Sequence, residues 1–369
     1  MFWIYGGAFV NGEGSLSVYN GTNLVNISQG RVIMVNLNYR MNAFGFLASE
    51  QFGGDPSKIT AWGESAGAIS IGYLLLANNR RERLFQQGIM ISGSVLSQQC
   101  QPYKEYQNSH DTLLNMTGCA TDVDSLECLR QLNASTLLEA ANAGYGRNLL
   151  RFYPVVDGHL IREVCSTALI NGQFSKIPII IGTNNSEGTV FVTSYGYQNQ
   201  SQLATCLKRA NPGLTNSSIQ EILTLYSETP KYPNLPYPEF VRTANIYVAR
   251  DYQDVVPVWK YHFNVINPHV LFLGAYHTSD LIYDFDQSTG LSGDAAVLAN
   301  TMASYYSSFT VSGNPNTYKY AGAIEWSQFQ NRTNYTQIVY QVGNATTESD
   351  TFLEQKCQFW DSISEQLMH

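Results

Sequence analysis

A serine flanked by two glycines has the clearest chemical potential in this sequence. The pentapeptide Gly-Glu-Ser-Ala-Gly at 63–67 follows the apolar run 58–62 and precedes small residues that begin a helical pattern. A sharp turn from strand to helix can present a serine hydroxyl only where side chains two residues away do not collide, so both glycines are needed. The N-terminus of the following helix favours developing negative charge. The pattern predicts that Ser65 is a hydrolase nucleophile.

A nucleophilic serine needs a base, and behind an elbow of this kind the chain order is serine, acid, histidine. Glu187 is the candidate acid, because it follows the apolar strand 179–181 and would lie at the carboxyl edge of a sheet. Of the six histidines, four follow this acid in the chain. His262 alternates like a strand residue, His269 follows a proline in a turn, and His277 lies in the loop 274–280. The last, His369, is at the terminus, and His110 and His159 precede the acid.

The elements that must position these residues are near-continuous apolar runs rich in β-branched residues. Such runs predict strands buried on both faces, as in a parallel sheet covered by helices. The runs are 1–4, 32–39, 58–62, 87–94 and 177–182. Helical periodicity is best in 296–309 and 352–367, whereas 101–150 mixes short helices and loops.

The link between two of these strands is unusual. The runs 32–39 and 58–62 are expected to be parallel neighbours, and parallel neighbours need a crossover that is usually helical. The connecting residues 40–57 contain glycines and a proline and have no helical periodicity. The sequence therefore predicts that a crossover helix is missing near residues 50 and 51.

Several motifs together resemble the type-B carboxylesterase/lipase family, which includes cholinesterases and secreted fungal lipases of the Geotrichum and Candida kind. Besides the pentapeptide at 63–67, they include Phe-Gly-Gly-Asp-Pro at 52–56, Tyr-Gly-Gly-Ala-Phe at 5–9, Gly-Thr-Asn at 182–184 and Ser-Gly-Asn-Pro at 312–315. The resemblance spans essentially the whole chain in the family's order. It implies one α/β-hydrolase domain over 1–369, with a mostly parallel sheet flanked by helices, that cleaves carboxylic esters.

The resemblance also assigns roles to individual residues. It implies a triad of Ser65, Glu187 and His277, in which the glutamate orients the histidine without taking its proton. It implies that the backbone amides of Gly7, Ala8 and Ala66 form the oxyanion hole. Cys119 and Cys128 match a family disulfide. Glu64, Ser94 and Asp157 receive no catalytic role.

Two departures from the family leave alternatives open. Compared with the family, we expect the chain to lack the N-terminal segment and the crossover helix. We therefore expect lower stability than in the relatives, and the gap can abolish activity. The competing hypotheses are a non-catalytic, cholinesterase-like binding protein and a truncated, inactive product of an esterase gene.

Composition limits the partners and the compartment. The net charge is −8 and no run of Lys or Arg is present, which argues against nucleic acid. No stretch approaches the roughly 20 apolar residues of a membrane span, and nothing indicates a metal or an organic cofactor. Six cysteines without a CxxC pair favour disulfides, with Cys119 and Cys128 closing a short loop. Ten N-x-Ser/Thr sequons predict a secreted protein with N-glycans. The abundance of Tyr and Asn, together with a Tyr-Gly-Gly-Ala loop that resembles that of fungal lipases, favours a fungal extracellular enzyme.

Overall fold

The fold is built around a central β-sheet. The computed structural model describes residues 1–39, 56–77, 84–98, 100–147, 149–190, 200–226, 255–286, 290–330, 335–343, 345–351 and 354–367. In chain order the strands are β1 Phe2–Ile4, β2 Val35–Asn36, β3 Thr60–Glu64, β4 Gln87–Ile91, β5 Gln101–Pro102, β6 Val155–Val156, β7 Ile179–Asn184, β8 Val258–Phe263, β9 Thr336–Tyr340 and β10 Thr346–Ser349. Within these residues, eight strands form one sheet in the order β10-β9-β8-β7-β4-β3-β1-β2, and β5 pairs with β6.

The sheet is parallel except at one edge, where β9 and β10 are antiparallel. Every residue of β3, β7 and β8 is buried. Burial on both faces is typical of a covered parallel sheet. It also buries polar side chains on these strands, among them Glu64, Lys260 and His262. The expectation of a mostly parallel α/β sheet flanked by helices is confirmed.

The helices cover the sheet and its loops. They are α1 Thr22–Ile27, α2 Ala66–Leu76, α3 Gln107–Thr117, α4 Ser125–Gln131, α5 Ala134–Gly146, α6 Cys165–Ile170, α7 Gln200–Ala210, α8 Asn216–Leu225, α9 Leu281–Asp284, α10 Asp294–Ser312, α11 Glu354–Ser362 and α12 Ser364–Leu367. The predicted helix at 296–309 is α10, and the predicted helix at 352–367 is divided into α11 and α12.

Alternate residues of β8 belong to two different cores. Trp259 and Tyr261 pack in the core that contains α10, whereas Val258 packs in the core that contains α2. The two helices therefore lie against opposite faces of the sheet, the arrangement that a doubly covered parallel sheet requires.

The expected pairing of 32–39 with 58–62 is wrong, because β1 lies between them. Phe2 is in register with Val35 of β2 on one side and with Ala61 of β3 on the other. Only Val35–Asn36 of the predicted run 32–39 forms a strand. The asparagines at and after the end of this strand bond to the segment 14–19. Asn36 Nδ2 donates to the Tyr19 carbonyl, and Asn38 Oδ1 accepts from the Gly14 amide. Residues 40–55, where the crossover helix is expected to be missing, lie outside the described residues.

Two disulfides lie outside the eight-stranded sheet, and each joins a helix residue to a residue in a loop. The predicted Cys119–Cys128 bond is present, and Cys100 bonds to Cys165, a pairing that the sequence left open. The side chains of Cys206 and Cys357 lie outside the described residues. Among the helices given above, none is long and apolar enough to span a bilayer.

Candidate active site

Ser65 occupies a strained turn between β3 and α2. Its φ is 53° and its ψ −121°, a conformation that non-glycine residues rarely adopt, and its amide donates to the Ile91 carbonyl. A Cβ on Gly67 would lie 1.8 Å from the Ile4 carbonyl oxygen, and one on Gly63 would lie 2.6 Å from the Gly67 carbonyl carbon. The structure thus supports the steric reason for both glycines. The serine itself is partly exposed.

The predicted acid and base lie side by side. His277 Nδ1 is 2.6 Å from Glu187 Oε2, and both side chains are buried. The second carboxylate oxygen of Glu187 accepts from the Asn184 amide at 2.7 Å. The carboxylate is held at both oxygens, and its contact with the imidazole places a proton on Nδ1.

The acid loop, residues 184–187, is tied to the loop that carries His277. The Asn184 carboxamide donates to the Tyr276 carbonyl at 2.8 Å and to Asp280 Oδ1 at 3.1 Å. The Ser186 amide donates to the Ala275 carbonyl at 2.9 Å. These bonds hold the acid loop against the loop of His277, although Glu187 and His277 are 90 residues apart in the chain.

A second carboxylate lies at the other imidazole nitrogen. His277 Nε2 is 3.2 Å from Oε1 of Glu64, the residue before the candidate nucleophile, and Glu64 is buried. Burial lowers the pKa of His277, but Glu64 and Glu187 outweigh it and raise that pKa to about 9. Burial raises the pKa of the Glu64 carboxyl to about 8, against the lowering effect of His277. Glu64 therefore contributes, together with Glu187, to stabilising the charged imidazole.

Replacing Glu64 by glutamine should shift the pH profile of activity. A general base works in its neutral form, so activity rises as pH passes the pKa of His277. Removing the Glu64 charge lowers this pKa, and we expect the acidic limb of kcat/KM for ester hydrolysis to move to lower pH. The exposed Glu105→Gln is the control and should leave the limb in place. A limb that stays or moves to higher pH in Glu64→Gln would contradict this role.

The predicted oxyanion loop lies against the serine. A Cβ on Gly6 would come within 2.9 Å of the Ser65 Cβ, so the loop passes directly beside the turn. Gly7, Ala8 and Phe9 all have positive φ, at 130°, 53° and 64°. Ala8 adopts a left-handed conformation that favours glycine, and Ala66 is the first residue of α2.

Sequence reasoning missed the polar residues that support the site. Burial raises the pKa of Asp280 to about 6, with Glu187 adding to the effect, and Tyr261 OH donates to Asp280 Oδ2 at 3.2 Å. The available signals were position, since Asp280 is close after His277, and the Gly-Thr-Asn motif at 182–184, which includes Asn184. The sequence places Glu64 beside the nucleophile without a catalytic role, and the contact of its carboxylate with His277 is visible only in the structure.

One sequon cannot be glycosylated in the folded protein. Asn184 is fully buried and its carboxamide nitrogen is bonded within the site. The other described sequon asparagines are exposed, namely Asn20, Asn26, Asn115, Asn133 and Asn216. Asn199, Asn331, Asn334 and Asn344 lie outside the described residues.

Comparison with known proteins is consistent with this geometry. The sequence model described as the carboxylesterase family matches residues 1–51 and 50–360. Secreted lipase 4 of Gibberella zeae is 28% identical, with 98% of this chain and 74% of that protein covered. Cholinesterase 2 of Branchiostoma lanceolatum is 32% identical over 71% of this chain and 87% of its own length. The crystal structure of Aspergillus niger EstA superposes with a TM-score of 0.86 at 27% identity, covering 100% of this chain and 81% of the other. The chain belongs to the carboxylesterase family and is a carboxylic-ester hydrolase.

Proposed function

We propose that the chain hydrolyses carboxylic esters through an acyl-enzyme formed on Ser65. The serine Oγ attacks the ester carbonyl carbon while His277 Nε2 takes its proton. The backbone amides of Gly7, Ala8 and Ala66 donate to the resulting oxyanion. His277 then protonates the leaving alcohol. Water attacks the acyl carbonyl, again losing its proton to His277, and the carboxylic acid departs as Ser65 recovers its hydroxyl proton.

The observation that carries this proposal is the 2.6 Å contact between His277 Nδ1 and Glu187 Oε2. A buried carboxylate at Nδ1 selects the tautomer with a basic Nε2 and stabilises the imidazolium that forms during attack. Ser65 stands next to Glu64, whose carboxylate lies at that same Nε2. The strained turn and the adjoining loop 6–8 supply a partly exposed hydroxyl and nearby amides.

The substrate is a small-molecule or lipid ester. Relatives named as secreted lipases, in Gibberella zeae and Botryotinia fuckeliana, favour acyl esters and an extracellular protein. The exposed sequons and the two disulfides are consistent with a secretory route and with N-glycans at the exposed sites.

A fluorophosphonate probe tests the nucleophile directly. The probe phosphonylates only an activated serine, and peptide mapping should place the label on Ser65. Hydrolysis rates across p-nitrophenyl esters from acetate to palmitate then define the acyl chain that the site prefers. Folded protein that takes up no label, or that is labelled at another serine, would refute the proposal.

A further inference from the structure

A buried histidine outside the proposed triad connects the sheet edge to the acid loop. His262 is the penultimate residue of β8, and its side chain is 7% exposed. Its Nδ1 lies 2.8 Å from Glu348 Oε1 on β10, and its Nε2 lies 3.2 Å from Asn185 Oδ1 in the acid loop. The ring therefore spans from the edge hairpin to the loop that holds Glu187.

Both ring nitrogens of His262 face oxygen acceptors. A neutral imidazole has one N–H, so donation to both oxygens requires the protonated ring, or else the Asn185 amide turns and donates to Nε2. In either arrangement each side of the ring is hydrogen-bonded, and the bond to Asn185 persists. A buried polar ring satisfied at both nitrogens holds its neighbours in one orientation.

The far end of this bridge is anchored firmly. Glu348 Oε1 also accepts from Gln337 Nε2 at 2.8 Å, and Gln337 Oε1 accepts from Lys260 Nζ at 2.6 Å. Lys260 Nζ pairs with Asp350 Oδ2 at 2.8 Å, with both side chains fully buried. The network links β8, β9 and β10. His262 therefore bonds to the acid loop from a part of the sheet that is itself held in place.

The near end acts on the catalytic acid of the proposed mechanism. Asn185 lies between Asn184, whose amide holds Glu187 Oε1, and Ser186, whose amide bonds to the His277 loop. The Asn185 amide itself donates to the Phe263 carbonyl at 2.9 Å. This backbone bond holds the main chain of Asn185, and His262 holds its side chain.

We propose that His262, held between Glu348 and Asn185, is a positioning residue for ester hydrolysis, one that sets the acid loop so that Glu187 meets His277. This inference rests on the proposed function. Because the effect passes through geometry and not through substrate contact, it should change kcat and leave KM unaltered. A small misplacement of a catalytic group can cost about 10²-fold in rate.

Two substitutions separate the two contacts of the ring. In His262→Asn the amide lies near the Nδ1 position and the contact to Asn185 is lost. In His262→Gln the longer side chain reaches the Nε2 position and keeps the contact to Asn185. We expect His262→Asn to lower kcat about 10- to 100-fold at constant KM. His262→Gln should stay within a few-fold of the unsubstituted chain. Val339→Ala, in register with His262 on β9, is the control for packing loss; it should lower Tm without changing kcat.

A spectroscopic readout keeps this inference separate from the proposed function. The short His277–Glu187 hydrogen bond should give a low-field proton resonance, whether or not the protein hydrolyses esters. We expect His262→Gln to retain the resonance and His262→Asn to shift or broaden it. Equal resonances and equal kcat in the two variants, or a kcat that falls with Tm in all three, would overturn the inference. If the unsubstituted chain hydrolyses no ester, the proposed function fails and the resonance alone decides the role of His262.

Discussion

Replacing Ser65 by alanine should reduce kcat for ester hydrolysis by about 10⁶-fold, the size of the loss when a hydrolase nucleophile is removed. The strained turn, with φ of 53° at Ser65, presents the Ser65 side chain, and its neighbours Glu64 and Ala66 carry no hydroxyl that could replace it. The residual rate comes from binding and the oxyanion amides. Steady-state hydrolysis of a p-nitrophenyl ester measures the effect.

The matched control for this variant is Ser70→Ala on the same helix. Ser70 is also partly exposed, but its hydroxyl donates to the Ala66 carbonyl one turn back. We expect Ser70→Ala to keep kcat and KM, and Ser65→Ala to keep its Tm, since alanine occupies less space in the same turn. A Ser65→Ala variant that retains more than about a tenth of the activity would rule out the acyl-enzyme on this residue.

Glu187→Gln should lower kcat by about 10⁴-fold, the loss found when the acid of a catalytic triad is replaced by the corresponding amide. The new NH₂ group must donate to His277 Nδ1, which places the imidazole proton on Nε2 and removes the base. The Asn184 amide can still donate to the remaining oxygen, so the loop keeps its shape. Removing the Glu187 charge also lowers the pKa of His277, and the acidic limb of the pH profile should move to lower pH.

Glu221→Gln, on the exposed face of α8, serves as the control and should leave both kcat and the profile unchanged. Circular dichroism and Tm distinguish a wrong tautomer from an unfolded loop. A loss of less than about tenfold in Glu187→Gln, in a folded protein, would remove Glu187 from the proposed mechanism.

The parts of the fold that local patterns determine were predictable. The first half of the strand Ile179–Asn184 is a run of three isoleucines, apolar on both faces, and that property is visible in the sequence without knowledge of its neighbours. The turn at Ser65 was predictable because its glycines are required by contacts close in the chain, as the clash of a Gly63 Cβ with Gly67 illustrates. In both cases the cause lies within a few residues.

What the sequence could not supply depends on distant neighbours. The position of β1 between β2 and β3 depends on how strands distant in the chain pair. Phe2 has no local feature that selects Val35 and Ala61 as partners. The approach of Glu64 to His277 needs the orientation of a side chain relative to a loop far along the chain. The bridge from His262 to Asn185 and Glu348 joins three separate elements, each of which is unremarkable alone.

The burial of Asn184 has a consequence for how this protein is made. Oligosaccharide is transferred to nascent chains before they fold, and at that moment the acceptor Asn-Asn-Ser is as accessible as any other. Once a sugar is attached, the carboxamide can no longer enter the space beside Tyr276 and Asp280. In a glycosylating host, loop closure and sugar transfer therefore compete for the same nitrogen, and we expect a modified molecule to lose the bonds from Asn184 to Tyr276 and Asp280. A bacterial host without that machinery avoids the competition.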